Sequence, residues 1–221
     1  MFDNGLLLNF QMNSNFRRTQ IAVWGFLFLV IIAIIGAFVR TKLGGKPPMI
    51  YSQVGNFSLT NQHGETISAN NLRGQIWIAD VIFTRCPLQC LRMTKRMREL
   101  QEALPQEKNI KLVSATADPE FDTPEVLENY AQQFGADQSH WWFLTAPKPE
   151  INRLVVDGLK LVIYEKKPEE REVPADLFLH STKFVLVDGQ GRIRGWFDAE
   201  NAASKAEIVS AVKMLLREKK L

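Results

Sequence analysis

The chain has few of the residues that hold metals or form disulfides: two cysteines and three histidines among 221 residues. Two thiols are too few for a closed structural zinc site, which takes four ligands. No segment is repeated and none is of low complexity, which leaves no basis for a stacked-repeat architecture. A charge surplus is also missing where a nucleic-acid-binding face would need one. The formal net charge is +3. Residues 1–46 hold Arg17, Arg18, Arg40, Lys42 and Lys46 against Asp3 alone, so the rest of the chain is slightly acidic. The basic excess therefore flanks one apolar run and does not coat a folded domain, which excludes nucleic acid as a partner.

That run, Ile21–Val39, contains no charged residue. At about 1.5 Å per residue it spans roughly 28 Å, close to the hydrocarbon core of a bilayer. A buried core helix of this length would show a polar face. A cleaved signal peptide would have a shorter run followed by small residues, whereas Arg40-Thr41-Lys42 follows here. The run reads as an uncleaved anchor. Arg17 and Arg18 favour a cytoplasmic N-terminus, although basic residues lie on both sides. The expected organisation is a cytoplasmic tail at 1–20, an anchor at 21–39, a linker at 40–51 and an exported domain at 52–221. The absence of a long transit segment before the anchor points to a bacterial inner membrane.

Within the domain, Ile76–Phe83 and Ile110–Ala115 read as buried strands. A hairpin-like stretch around Asn61-Gln62-His63-Gly64 precedes them. Leu91–Leu104 has helical spacing, with Met93, Met97, Leu100 and Leu104 on its core face. Asp122-Thr123-Pro124-Glu125 starts a helix that runs to about Phe134. Trp141–Thr145 reads as a short strand, Pro149–Asp157 as helix and Ala203–Lys219 as a final helix. Lys183–Val187 and Ile193–Phe197 flank the turn Asp188-Gly189-Gln190-Gly191 as a hairpin. The order predicts an α/β fold, a central mixed sheet with helices on both faces.

Both cysteines, Cys86 and Cys90, fall between the first buried strand and its helix. A helix N-terminus stabilises thiolate, the nucleophilic and metal-binding form. Four residues apart, both sulfurs reach one face if the helix starts between them. Three readings compete: an inert or disulfide pair, a redox dithiol, or a metal site. The spacing has one residue more than the usual oxidoreductase pair. Two thiolates make a soft site suited to Cu(I) or zinc, and such a site needs a further ligand. His63 sits in a polar turn and His140 leads an aromatic run. On a thioredoxin-like sheet, His180 is the histidine expected to face the cysteines, since it enters the strand Lys183–Val187.

Four blocks together resemble the Sco/SenC family of copper proteins: IWIADVIFTRCPLQCLRMTKRMRELQ at 76–101, VSATADPEFDTPEVLENY from Val113, WFLTAP at 142–147, and LHSTKFVLVDGQGRIRGWF at 179–197. The resemblance covers about residues 52–215. It implies a thioredoxin-like fold on one N-terminal transmembrane helix, with copper, as Cu(I) or Cu(II), held by Cys86, Cys90 and His180. It further implies a role in assembling the binuclear copper centre of cytochrome c oxidase. The expected partners are that subunit and other copper chaperones or a thioredoxin-like reductase. The family usually has proline after its second cysteine, where this chain has Leu91. Asp80 lies six residues before Cys86, the offset of the buried aspartate under the thioredoxin dithiol, and is expected to support the site from behind. The competing functions are a membrane-anchored thiol–disulfide oxidoreductase using Cys86 and Cys90, a peroxidase-like enzyme, and a copper or redox sensor. His180-Ser181-Thr182 stands where an oxidoreductase would usually carry a substrate-gripping cis-proline, which favours metal.

Overall fold

The computed structural model describes residues 14–43, 48–86, 89–105 and 107–218. By its contacts the chain divides into two units, Met1–Lys46 and Pro47–Leu221. Among its described residues the first contains one helix, α1 (Ser14–Leu43). Its segment Thr19–Gly36 has a mean hydropathy of 2.3 and is wholly unburied. Length and apolar exposure are compatible with membrane anchoring. Most of the expected tail, and Gly44–Pro47 of the expected linker, lie outside the described residues.

The second unit is built on a mixed sheet. Its strands are β1 (Ser52–Gln53), β2 (Ser58–Asn61), β3 (Thr66–Ser68), β4 (Ile76–Ile82), β5 (Ile110–Thr116) and β6 (Trp141–Thr145). Two further strands, β9 (Lys183–Val187) and β10 (Arg192–Asp198), complete it, and the order across the sheet is β1-β10-β9-β4-β5-β6-β2-β3. The central trio β4, β5 and β6 is parallel and the outer pairs are antiparallel. A separate two-stranded sheet pairs β7 (Ile163–Glu165) with β8 (Phe178–His180).

The helices are α2 (Gln89–Ala103), α3 (Pro124–Gln133), α4 (Lys148–Asn152), which runs into a π-helical turn at Arg153–Gly158, and α5 (Ser204–Glu218). Every residue of β4 is buried, because both faces of the sheet are covered. Register shows how. Asp80, Ser114 and Phe143 are lateral neighbours on β4, β5 and β6, so they share a face. Phe143 meets Tyr130 of α3, whose hydroxyl bonds Thr94 of α2, and α2 packs on α5. Ala79, Val185 and Trp196 line up on the opposite face, where the Trp196 indole donates to the Leu159 carbonyl.

Local signals agree with these elements. α2 buries Cys90, Met93, Thr94, Met97 and Leu100, one stripe at helical spacing. The Thr123 hydroxyl accepts from the Val126 amide and Pro124 takes the first turn of α3. At the β9–β10 turn the Asp188 carboxylate accepts the Gln190 and Arg192 amides, and Gly191 takes the left-handed conformation at φ 77°.

Candidate metal centre

The site forms where β4 ends and α2 begins. After Ile82 the chain turns through Phe83-Thr84-Arg85, with the Cys86 amide donating to the Phe83 carbonyl at 3.2 Å. Gln89 opens α2, so Cys90 lies in its first turn. The Cys90 amide, one of the unpaired donors of a helix start, donates to the Cys86 sulfur at 3.3 Å. Cys90 is fully buried and Cys86 half-buried.

His180 comes from the other side. Sequence reasoning put it in a loop entering β9; it is instead the last residue of β8, whose pairing to β7 (Ile163 opposite His180) fixes its backbone. A three-residue strand is too short to leave a pattern in sequence. The ring stands edge-on to Phe83 at 5.8 Å, and Phe83 in turn meets Phe178 at 5.2 Å. His180 Nε2 lies 3.0 Å from Cys90 Sγ, while Nδ1 lies 3.2 Å from the Ser181 carbonyl oxygen. A carbonyl only accepts, so Nδ1 carries a proton, and in the neutral ring the lone pair is on Nε2, facing Cys90. The ligand atoms of Cys86, Cys90 and His180 lie within 4.8 Å of one another. Two ligands of one ion stand at most about two metal–sulfur bonds apart, roughly 4.6 Å, so this donor set fits a single soft ion after small adjustment.

Burial pushes the Cys90 thiol well above the ordinary thiol range, and its contact with Cys86 adds to the effect. Desolvation therefore outweighs the helix-start effect that sequence reasoning invoked for this sulfur. The Cys90 sulfur and His180 Nε2 are hydrogen-bond partners at 3.0 Å. Asp80 lies behind the site, fully buried. Its Oδ1 accepts the Ser114 hydroxyl at 2.6 Å, and the Ser114 oxygen accepts the Trp141 indole N–H at 3.0 Å. Asp80 Oδ2 has no hydrogen-bond partner among the described residues. Burial raises its carboxyl to about 7, against the lowering influence of Ser114 and His180.

The other two histidines stand apart from this cluster. His63 is exposed in the turn after β2, and His140 bonds Asp137 and Ser139. Met93 and Met97 are core residues of α2. Sequence reasoning reads Asp122 only as part of a helix start and gives Asp118 no role, whereas both hold the loop before Cys86. Arg85 donates to Asp118 through Nε at 3.0 Å and Nη2 at 2.6 Å, and its guanidinium lies over Phe121, 4.3 Å from the ring centroid. Asp122 accepts the Thr84 amide at 3.2 Å and the hydroxyls of Thr84 and Thr116. The sequence signal for both is their place in the DPE-x-DTPE block.

With this geometry in view, residues 49–217 match the family model described as SCO1/SenC. The chain belongs to the SCO1/SenC family. It is 31% identical over 191 residues to the SCO1 protein homolog of Bacillus subtilis (strain 168), covering 86% of this chain and 92% of that one. Among solved structures, a SCO1/SenC family lipoprotein from Bacillus anthracis str. Ames superposes with a TM-score of 0.68 at 28% identity, over 76% of this chain and 97% of that one. BsSco, a member of the Sco family of cytochrome c oxidase assembly proteins in which a disulfide switch has been identified, gives 0.65 at 31% identity, over 77% and 98%. The copper-bound ScoI of Bradyrhizobium japonicum gives 0.62 at 21% identity over 74% and 99% of the two chains, and speaks to the fold. The fold is thus the thioredoxin-like one of the Sco proteins, with one apolar N-terminal helix.

Proposed function

We propose that this protein is a membrane-anchored copper-binding assembly factor for a respiratory cytochrome c oxidase. Copper is its cargo, held by the thiolates of Cys86 and Cys90 and by His180 Nε2. The observation that carries the reading is the convergence of two sulfurs and one lone-pair nitrogen from separate elements, in a family whose relatives include copper-bound proteins and an oxidase assembly protein. Two thiolates and an imidazole suit copper. Loading copper displaces the thiol protons, so affinity falls as pH falls. Cys86, the more accessible sulfur, is the one through which cargo passes to a client. The same dithiol can instead give two electrons and two protons to a client disulfide and end as a Cys86–Cys90 disulfide.

In this reading Ile21–Val39 anchors the protein, residues 1–20 are cytoplasmic and the domain faces the extracytoplasmic side, where such a disulfide persists. The client is the copper-centre subunit of the oxidase. The test mixes copper-loaded protein with the metal-free soluble domain of that subunit. Growth of the binuclear copper absorption in the client, lost in Cys86→Ser, supports delivery. Reduction of the client's cysteines without copper transfer moves the assignment to a reductase. Neither effect would remove the assembly function and leave a copper or redox sensor.

A further inference from the structure

Cys90 is fixed by α2 and His180 by β8, but Cys86 precedes the helix and no strand holds it. Its amide donates to the Phe83 carbonyl and its sulfur accepts the Cys90 amide, while the two residues before it are held by contacts from the loop between β5 and α3. Asp122, fully buried, gathers the Thr84 amide and hydroxyl together with the Thr116 hydroxyl. Asp118, also buried, takes two donors from Arg85, whose guanidinium is stacked on Phe121. The Ala117 amide donates to the Ile82 carbonyl at 2.7 Å and the Thr116 hydroxyl accepts the Asp118 amide at 2.9 Å, so both loops are tied at their bases. Thr84 and Arg85 are thus gripped immediately before Cys86.

We propose that Asp122 and Asp118 are positioning residues for Cys86: through Thr84 and Arg85 they hold its sulfur within reach of Cys90 and His180. The role rests on the copper-binding reading for its metal readout, but it also applies to the bare dithiol. A held Cys86 raises the effective concentration of one sulfur toward the other and preorganises two of three metal ligands. Partners that orient a ligand from behind typically change metal affinity by about 10–100-fold.

The test uses the full chain in detergent and four variants: Asp118→Asn, Arg85→Met, Arg85→Lys and Asp122→Asn. Arg85 is itself exposed and Arg85→Lys keeps the charge opposite Asp118, so that variant tests the contact even where Asp122→Asn does not fold. Two quantities are read on folded protein. One is the equilibrium of the Cys86–Cys90 disulfide with dithiothreitol, in which the protein disulfide gains the two electrons and two protons that close the dithiothreitol ring. The other is Cu(I) affinity by chelator competition. Asp118→Asn and Arg85→Met should each favour the reduced protein about tenfold more, a rise in potential of about 30 mV, and bind Cu(I) at least tenfold more weakly. Arg85→Lys keeps the charge but not the two-pronged contact, and should fall between. Variants that melt lower yet keep both the potential and the affinity of the parent would overturn the proposal, since the loop would then support only the fold. If the parent binds no copper while the potentials shift as stated, the positioning role stands and the copper reading fails.

Discussion

Replacing Asp80 by asparagine should make the metal-free protein more stable above pH 7. Asp80 is fully buried, and one of its oxygens has no hydrogen-bond partner among the described residues. Burial lifts its carboxyl from an ordinary 3.8 to about 7. Between those values the folded chain holds a proton that the unfolded chain has released. Stability therefore falls as pH rises through the window from about 4 to 7, and levels off above it. At 1.36 kcal/mol per pH unit the full effect is at most roughly 4 kcal/mol, of which about 3 kcal/mol lies between pH 5 and pH 8. Asp80→Asn keeps an oxygen to accept the Ser114 hydroxyl and has no charge to bury. Its stability should not pass through that fall. The assay is chemical denaturation of the reduced, metal-free protein at pH 5 and pH 8, followed by the fluorescence of Trp77, Trp141, Trp142 and Trp196. Parallel pH dependences for parent and Asp80→Asn would refute the argument, because the pH response would then come from other groups.

Other outcomes follow from the same structure. His180→Ala removes a ligand outright and should lose far more copper affinity than Asp80→Asn, while the Cys86–Cys90 reduction potential moves little; competition titration and thiol-exchange equilibria read the two. Burial works against the Asp188 carboxylate, but bonds from Arg194, Arg192 and two backbone amides hold it below the usual range. Its stabilisation is present above the ordinary carboxylate pKa and is lost as pH falls through the lower folded value, so Asp188→Asn should weaken the protein at pH 7 and flatten the acid limb of its stability curve. Reporter fusions placed after residue 45 should be active only outside the cytoplasm, and activity confined to the cytoplasm would reverse the proposed topology.

Much of the fold could be read from sequence because it rests on long, strongly patterned segments. The apolar runs at Ile76–Phe83 and Ile110–Ala115, the Thr123-Pro124 helix start and the Asp188–Gly191 turn each carry a local signal that tertiary packing reinforces. The structure also brings together the three residues named as ligands. Short pieces were not legible. β1 pairs with β10 over two residues, and β7 and β8 are three residues each. Their strands exist because neighbours complete their hydrogen bonds, which no local pattern encodes. That is why His180 was expected in a loop. The same limit hid the grip on Cys86: Thr84 meets Asp122 across 38 positions and Arg85 meets Asp118 across 33. The state of the Cys90 thiol also depends on burial, which sequence spacing does not show.

Anaerobic titration of the reduced protein with copper decides whether Cys86, Cys90 and His180 form a copper site. Binding should saturate at one copper per chain, with a strong sulfur-to-copper charge-transfer band on Cu(II) binding that disappears in Cys86→Ser and in Cys90→Ser. Full copper binding retained by either single variant would contradict that site.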